Sequence, residues 1–216
     1  MDWYNNQDWD EDVKIEFEEK LKRSRGSFNK AQYLRIKGSN LIKSEDNSKQ
    51  EAGINLLERV TEEYSTELFH SCFAHEQLGD YYFHKKEYQK AIQHYQEVVN
   101  YYQNSRNGTS GIADIKFAET IVDLNKRDRF LEAIRLLTDD FIKTGGSLDF
   151  KDDVFRYHFV LARLYEGISE INIAKEHAKR AYDVYQSKEV QFPKYPKLGM
   201  ITVSEDEYNN LVRLVN

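Results

Sequence analysis

His75-Glu76-Gln77-Leu78-Gly79-Asp80-Tyr81-Tyr82, with Ala91-Ile92-Gln93-His94-Tyr95 nine residues after it, is the most regular stretch of this 216-residue chain. Gly79 and Ala91 are small residues twelve positions apart, and tyrosines follow them at Tyr82 and Tyr95. Small residues let two helices cross closely, because a larger side chain at the crossing would push the helices apart. The stretch therefore predicts two packed helices with tyrosine rings beside their crossing point.

Positions equivalent to Gly79 and Ala91 recur along the chain. The first position is placed at Gly38, Gly79, Ile121 and Ala162, at successive spacings of 41, 42 and 41 residues. The second position is placed at Ala52, Ala91, Ala133 and Ala174, at spacings of 39, 42 and 41 residues. Two sets of positions that advance together at one period are typical of repeated helix pairs, each of which buries its apolar face only against its neighbours.

The pattern resembles the tetratricopeptide repeat. That family's signature is an aromatic residue, then Leu-Gly, a Tyr three residues later, and an Ala-x3-Phe pair in the second helix. Leu78, Gly79, Tyr82, Ala91 and Tyr95 stand in these places. The resemblance implies an all-α fold, a right-handed α-solenoid of four tetratricopeptide-like hairpins with a period of about 41 residues. An antiparallel helical bundle and HEAT-like repeats are the alternatives, since their crossings also use small residues.

The same register gives the expected organisation of the chain. An arm and a capping helix occupy 1–27, and an extended, proline-containing tail and a second capping helix occupy 188–216. The solenoid is expected over 28–187, with hairpins at about 28–66, 68–104, 111–144 and 151–187. Ser204, with Glu207 three residues later, predicts a capping box at the start of the last helix.

Composition and charge exclude several classes of function. A net charge of −6, from 31 Lys and Arg against 37 Asp and Glu, argues against a nucleic-acid partner. The single cysteine, Cys72, excludes an internal disulfide framework and is typical of a reducing compartment. The sequence shows neither a signal peptide nor an apolar run of membrane-spanning length, so we expect a cytoplasmic protein with no membrane partner.

The sequence offers little catalytic chemistry. His70, Cys72 and His75 are close in sequence, but their spacing does not place two zinc ligands on one helical face. Phosphate-binding loops, nucleophile elbows and dinucleotide fingerprints are missing from the sequence. We therefore expect no enzymatic activity, no catalytic residues, no metal site and no cofactor.

The resemblance also implies which residues bind a partner. In the tetratricopeptide family, first-helix residues on either side of the small residue face the concave groove. The corresponding positions are Gln32, Arg35, Ser39 and Lys43 in hairpin one; Phe73, Glu76, Asp80, Phe83 and His84 in hairpin two; Ile115, Ala118, Val122, Asn125 and Lys126 in hairpin three; and Arg156, Phe159, Arg163 and Glu166 in hairpin four. Such a surface is mixed in charge and suits a protein or peptide partner.

Two functions follow as expectations. The first is a non-enzymatic scaffold or adaptor that holds a peptide or protein partner in the groove. The places of the family's carboxylate clamp hold Arg35, Ser39, Gln77, Ile115 and Glu119, of which only the first is basic, so a co-chaperone of that kind is not expected. The stretches Lys20–Arg23, Ala31–Gly38 and Gln191–Pro196 resemble small bacterial tetratricopeptide proteins. This resemblance implies the alternative of an immunity protein that binds and neutralises a toxin domain.

Overall fold

The computed structural model describes residues 3–187 and 189–216, and these residues form helices and connecting turns with no strand among them. The helices are α1 (Glu11–Arg23), α2 (Ser27–Leu41), α3 (Asn47–Glu63), α4 (Leu68–His84), α5 (Tyr88–Tyr102), α6 (Ala113–Asp123), α7 (Phe130–Arg135), α8 (Phe141–Lys143), α9 (Lys151–Gly167), α10 (Ile171–Gln186) and α11 (Glu205–Val215). A 3-10 turn over Arg127–Arg129 precedes α7, and a π-helical turn over Leu136–Asp140 joins α7 to α8 without a break. The expectation of an all-α fold is confirmed.

Capping side chains mark the first residues of α1 and α11. The Asp10 carboxylate accepts a hydrogen bond from the Val13 backbone N–H at 2.9 Å and starts α1. Ser204 and Glu207 form the predicted capping box at the start of α11. In the described part of the chain, no helix combines the length and the apolar composition that crossing a membrane requires.

The packing divides the chain into two units. Unit one runs up to Tyr101 and includes Asn107–Thr109, and unit two comprises Tyr102–Arg106 and Ser110–Asn216. Unit one therefore contains α1 to α4 and nearly all of α5, and unit two contains α6 to α11.

Glycines make the close helix crossings of unit one. A Cβ atom on Gly38 of α2 would lie 2.9 Å from the Gly53 carbonyl oxygen of α3, and a Cβ atom on Gly79 of α4 would lie 2.6 Å from the Tyr95 ring of α5. Neither crossing has room for a larger residue. The close approach in α3 is made by Gly53 and not by the neighbouring Ala52, which corrects the second position of hairpin one.

Three turns reveal a second correction to the predicted register. Lys86, Asn125 and Ser169 each follow the end of a first helix, with φ of 60°, 52° and 68°. Counting seven residues back from each turn reaches Gly79, Ala118 and Ala162. The small residue of α6 is therefore Ala118, which is fully buried, and not Ile121.

With the corrected positions, the spacing between the two small residues of a helix pair alternates along the chain. In α2/α3 and in α6/α7 the two small residues are 15 apart, as Gly38 and Gly53 and as Ala118 and Ala133. In α4/α5 and in α9/α10 they are 12 apart, as Gly79 and Ala91 and as Ala162 and Ala174. Each unit therefore contains one pair of each kind.

The N-terminal arm packs on α1 and α2. The Trp3 ring lies 5.1 Å from the Phe17 ring and 5.0 Å from the Tyr33 ring, measured between centroids. Beneath the arm, the fully buried Lys37 donates through Nζ to the Asp8 carbonyl oxygen at 2.7 Å and to the Asn6 side chain. The predicted arm begins at residue 1, but residues 1 and 2 lie outside the described part of the chain, as does residue 188 of the predicted tail.

In unit two, α11 packs against α9 and α10. Leu211 and Leu214 join Phe155 and Phe159 of α9 in one buried cluster. Arg213 of α11 also pairs with Glu166 of α9, with Nη2 2.8 Å from Oε2. The C-terminal helix therefore covers an apolar face of α9 and α10.

Candidate functional site

Helices α2 and α4, each the first helix of its hairpin, lie side by side in unit one along a seam. The Arg35 guanidinium carbon lies 4.3 Å from the Phe73 ring centroid, and Gln77 Nε2 donates to Ser39 Oγ at 2.8 Å. Both residue numbers increase together from contact to contact, so the two helices run in the same direction. We call this line of contacts the α2–α4 seam.

A cleft opens at the C-terminal end of this seam. Its volume is about 580 Å³, within the range of about 300–1,000 Å³ that is typical of ligand sites. The lining residues are Ser39, Ile42, Lys43, Gln50, Phe73, Gln77, Asp80, Tyr81, His84 and Lys85. Aromatic rings, amides, a carboxylate and ammonium groups thus share one concave surface, which we call the α2–α4 cleft.

Hydrogen bonds fix the polar groups of the cleft. The Tyr95 hydroxyl donates to Asp80 Oδ1 at 2.7 Å, and the Tyr81 hydroxyl donates to Gln50 Oε1 at 3.3 Å. Lys85 Nζ lies 5.5 Å from the centroid of the Tyr81 ring. Asp80, Tyr81 and Gln50 are therefore held in place by the fold, and less of their conformational freedom is lost on binding.

Arg35 lies on the seam above the cleft. Its Nε donates to His70 Nδ1 at 3.2 Å. Burial lowers the pKa of Arg35 to about 10, and burial followed by the nearby Arg35 charge lowers the pKa of His70 to about 4. His70 is therefore neutral near pH 7, and Arg35 carries the only charge of this pair.

The structure brings together most of the residues predicted in unit one. Ser39, Lys43, Phe73, Asp80 and His84 line the α2–α4 cleft, and Arg35 contacts its Phe73 wall. The half-buried Gln32 precedes Arg35 on α2, and the half-buried Phe83 packs on Tyr88. Glu76 is only 1% exposed, so it is removed from the accessible surface.

The residues predicted in unit two have different surroundings. Ile115 and Ala118 are fully buried and Phe159 is 3% exposed, so none of these three offers a surface to a partner. Arg156 Nη1 lies 3.0 Å from Glu119 Oε2, and Arg163 Nη2 lies 2.7 Å from Asp123 Oδ1. Glu166 pairs with Arg213, Val122 and Lys126 are half-buried, and Asn125 is exposed in its turn.

The predicted set of partner-binding residues omitted Glu119 and Asp123 because hairpin three was placed three residues out of register. With Ala118 as the small residue, both carboxylates take positions equivalent to Ser39 and Lys43 of α2. The spacing of 15 shared by the first and third helix pairs is the signal that reveals this register. Gln50 was missed because it belongs to a second helix, which a rule based on first helices does not include.

Two histidine pairs occupy equivalent places in the two units. His75 Nδ1 lies 3.1 Å from His94 Nδ1, and His158 Nδ1 lies 2.9 Å from His177 Nδ1. Tyr82 stacks on His94, and Tyr165 stacks on His177. Because one nitrogen must donate and the other accept, each contact requires at least one neutral ring. These pairs are part of the packing between the two helices of each hairpin.

The other reactive groups do not form a second site. Burial raises the pKa of the Cys72 thiol to about 12, so this thiol is not activated. Among the described residues, no group of three or more His, Cys, Asp or Glu side chains is arranged to hold a metal ion.

Comparison of the chain with protein-family models, with curated proteins and with solved structures finds no match. The function is therefore inferred from the geometry and charge of the α2–α4 cleft.

Proposed function

We propose that this chain is a non-enzymatic scaffold or adaptor that binds an extended segment of a protein partner in the α2–α4 cleft. The observation that carries this proposal is a concave surface of about 580 Å³ that combines aromatic walls with charges of both signs. A peptide needs apolar contacts for its side chains and hydrogen-bonding groups for its backbone. Phe73 and Tyr81 provide the first, and Ser39, Gln50 and Gln77 provide the second.

Binding is favoured over catalysis by the partners of the hydroxyl groups. Ser39 Oγ accepts a hydrogen bond from Gln77, and the Tyr81 hydroxyl donates to the Gln50 amide. Neither hydroxyl contacts a base that would activate it as a nucleophile.

We further propose that the helix pairs are tetratricopeptide-like hairpins of a right-handed α-solenoid in a cytoplasmic protein. The crossing of Gly79 with Tyr95 and the repeated spacing of small residues support this assignment. No feature of the described residues favours the alternative of toxin neutralisation, which rests on the resemblance of the sequence alone.

The test begins with selection of random dodecapeptides on the immobilised wild-type chain, followed by titration calorimetry of the selected peptides. We expect Lys43→Glu/Lys85→Glu to weaken binding roughly tenfold or more, because two charges in the cleft are reversed. The matched control is Lys179→Glu/Lys194→Glu, which makes the same change in net charge at two exposed positions outside the cleft and outside α2. The proposal fails if no peptide is selected, or if both double variants bind the selected peptides equally.

A further inference from the structure

Arg35 differs in its ion pairing from the other partly buried arginines. Among the described residues it makes no ion pair, although its side chain is not exposed. Every other arginine outside the exposed class pairs with a carboxylate: Arg59 with Glu18, Arg106 with Asp114, Arg129 with Glu132, Arg156 with Glu119, and Arg163 with Asp123. Burying a cation without a counter-ion is unfavourable, so the fold leaves the charge of this arginine uncompensated.

The contacts of Arg35 orient its guanidinium group. Nε is occupied by His70 Nδ1 at 3.2 Å, and the guanidinium group rests on the Phe73 ring. Nη1 and Nη2 have no hydrogen-bond acceptor among the described residues. A guanidinium fork fixed in this way matches the two oxygens of a carboxylate.

The sequence around Arg35 is strongly basic in an otherwise acidic chain. From Lys20 to Ser44 there are eight Lys and Arg residues and no Asp or Glu, whereas the whole chain has a net charge of −6. Such a local field attracts anionic groups from beyond contact distance. The charge of α2 is therefore complementary to an acidic segment.

An exposed apolar cluster lies at the N-terminal end of the seam. Phe28 is 49% exposed, Phe69 is 41% exposed and Leu68 is 59% exposed. The Phe28 and Phe69 ring centroids are 6.5 Å apart. Exposed apolar clusters of this kind mark binding surfaces in many proteins.

The distance along the seam sets the length of a ligand. From Phe28 to Lys43, α2 rises by about 22 Å at about 1.5 Å per residue. An extended segment of about seven residues covers this distance. One such segment can therefore contact the apolar cluster, Arg35 and the α2–α4 cleft together.

We propose that Arg35 binds the side-chain carboxylate of an Asp or Glu residue within an extended partner segment, which places an apolar side chain on Phe28, Leu68 and Phe69. This inference rests on the proposed function and specifies the chemistry of the partner. The carboxylate supplies the counter-ion that the fold does not give to Arg35.

The test uses pools of N-acetylated, C-terminally amidated decapeptides with one fixed central residue; the other positions are random but exclude Asp and Glu. The fixed residue is Glu, Gln, Leu or phosphoserine, and retention on the immobilised chain is measured by mass spectrometry. Amidation removes the terminal carboxylate, so only a side chain can supply the anion. We expect the Glu pool to bind roughly 10- to 100-fold more tightly than the Gln pool, as is typical of charge-assisted hydrogen bonds.

The variant Arg35→Met removes the charge and keeps an apolar stem against Phe73. We expect it to lose the preference for Glu over Gln, while Arg135→Met, which removes an exposed charge from α7, keeps that preference. Arg35→Met should also unfold within a few degrees of the wild type, because no ion pair is lost. A drop of more than about 10 °C would indicate a structural role instead.

Other outcomes overturn the inference in distinguishable ways. Equal retention of the Glu and Gln pools, or a Glu preference that survives Arg35→Met, would refute the role of Arg35 and leave the proposed function standing. Retention of the phosphoserine pool without the Glu pool would assign the site to phosphorylated segments. If none of the four pools bound, both the inference and the proposed function would fall.

Discussion

Arg106 shows what an arginine does when the fold supplies its counter-ion. Its guanidinium carbon lies 4.1 Å from the Tyr102 ring centroid and 4.9 Å from that of Phe141. Nη2 donates to Asp114 Oδ2 at 2.7 Å, and Nη1 donates to the Gly111 carbonyl oxygen at 2.6 Å. One side chain thus joins the connection after α5 to α6 and α8. Among the described residues Arg35 has no carboxylate partner of this kind.

Arg106→Met should lower the free energy of unfolding by about 3–5 kcal/mol, because it leaves the buried Asp114 carboxylate without its cation. Urea denaturation monitored by circular dichroism measures the change. Arg135→Met is the control and should change stability by less than about 0.5 kcal/mol, since Arg135 is exposed. Equal stabilities of the two variants would show that the Arg106 network contributes little.

The paired histidines predict acid sensitivity. Burial lowers the pKa of His75, His94 and His158 to about 4, and it also lowers the pKa of His177. The positive charges of Lys90 beside His94, and of Arg180 beside His158 and His177, act in the same direction, while Glu176 opposes them at His177. The unfolded chain therefore binds more protons than the folded chain between pH 6.5 and about 4, so stability falls as pH falls through this window.

Between pH 7 and pH 5 we expect each histidine whose pKa is lowered to about 4 to reduce the free energy of unfolding by at most about 2 kcal/mol. Burial, followed by the Asp152 charge, raises the pKa of Asp153 to about 6 and acts in the opposite direction, so variants are needed to isolate the histidines. His75→Phe/His94→Phe should flatten the dependence of the urea midpoint on pH. A slope identical to that of the wild type would contradict this account.

At the scale of the element, the third helix pair shows where sequence reasoning reached its limit. When α4 and α9 are aligned with α6 at the repeat period, α6 ends three residues before the position at which they end. The 3-10 turn Arg127–Arg129 then adds three residues before α7. The two differences cancel, so Ala133 keeps the predicted spacing of 42 from Ala91 while the first position slips from Ile121 to Ala118. A regular period in second helices therefore concealed a shift in a first helix.

Ala118→Leu tests the corrected register. Ala118 is fully buried at the place of Gly79 and Ala162, so the larger side chain should lower the free energy of unfolding by about 1–3 kcal/mol. Ala52→Leu is the control, because Ala52 is only half-buried beside the true crossing residue, Gly53. Greater damage from Ala52→Leu than from Ala118→Leu, measured by thermal unfolding, would favour the original register.

The residues of the candidate site, like the helix register, could be predicted only in part from the sequence. The register taken from the tetratricopeptide resemblance was enough to place Ser39, Lys43, Phe73, Asp80 and His84 on one surface. It could not reveal that Arg156 and Arg163 have carboxylate partners, because those partners belong to the helix whose register was misplaced. Ion pairing between helices depends on three-dimensional neighbours, which a repeat pattern gives only when every register is right.

At the scale of the whole molecule, charge is unevenly distributed along the chain. The segment from Lys20 to Ser44 contains eight Lys and Arg residues and no Asp or Glu, in contrast with the net charge of −6 of the whole chain. An acidic ligand should therefore be steered toward this part of unit one. Steering of this kind affects the rate of association more than the rate of dissociation.

Association of an acidic peptide should slow by about tenfold between 50 and 500 mM NaCl, since salt screens the attraction of the basic segment. Stopped-flow fluorescence with a labelled peptide measures this rate. Lys22→Glu/Lys30→Glu should reduce the salt dependence, and Lys179→Glu/Arg180→Glu should not, because these residues lie on α10. A rate independent of salt in the wild type would contradict electrostatic steering.

The alternating spacing of small residues has a consequence for the origin of the molecule. Four copies of one hairpin, added singly, would not place 15-residue and 12-residue spacings in strict alternation. Single additions would also not explain why only the second and fourth hairpins share a group of one tyrosine and two histidines. These groups are Tyr82 with His75 and His94, and Tyr165 with His158 and His177. We infer a tandem duplication of a gene segment that encoded two hairpins. The two halves now differ: the first helices of one carry ion pairs, and those of the other border an open cleft and an arginine that has no counter-ion among the described residues.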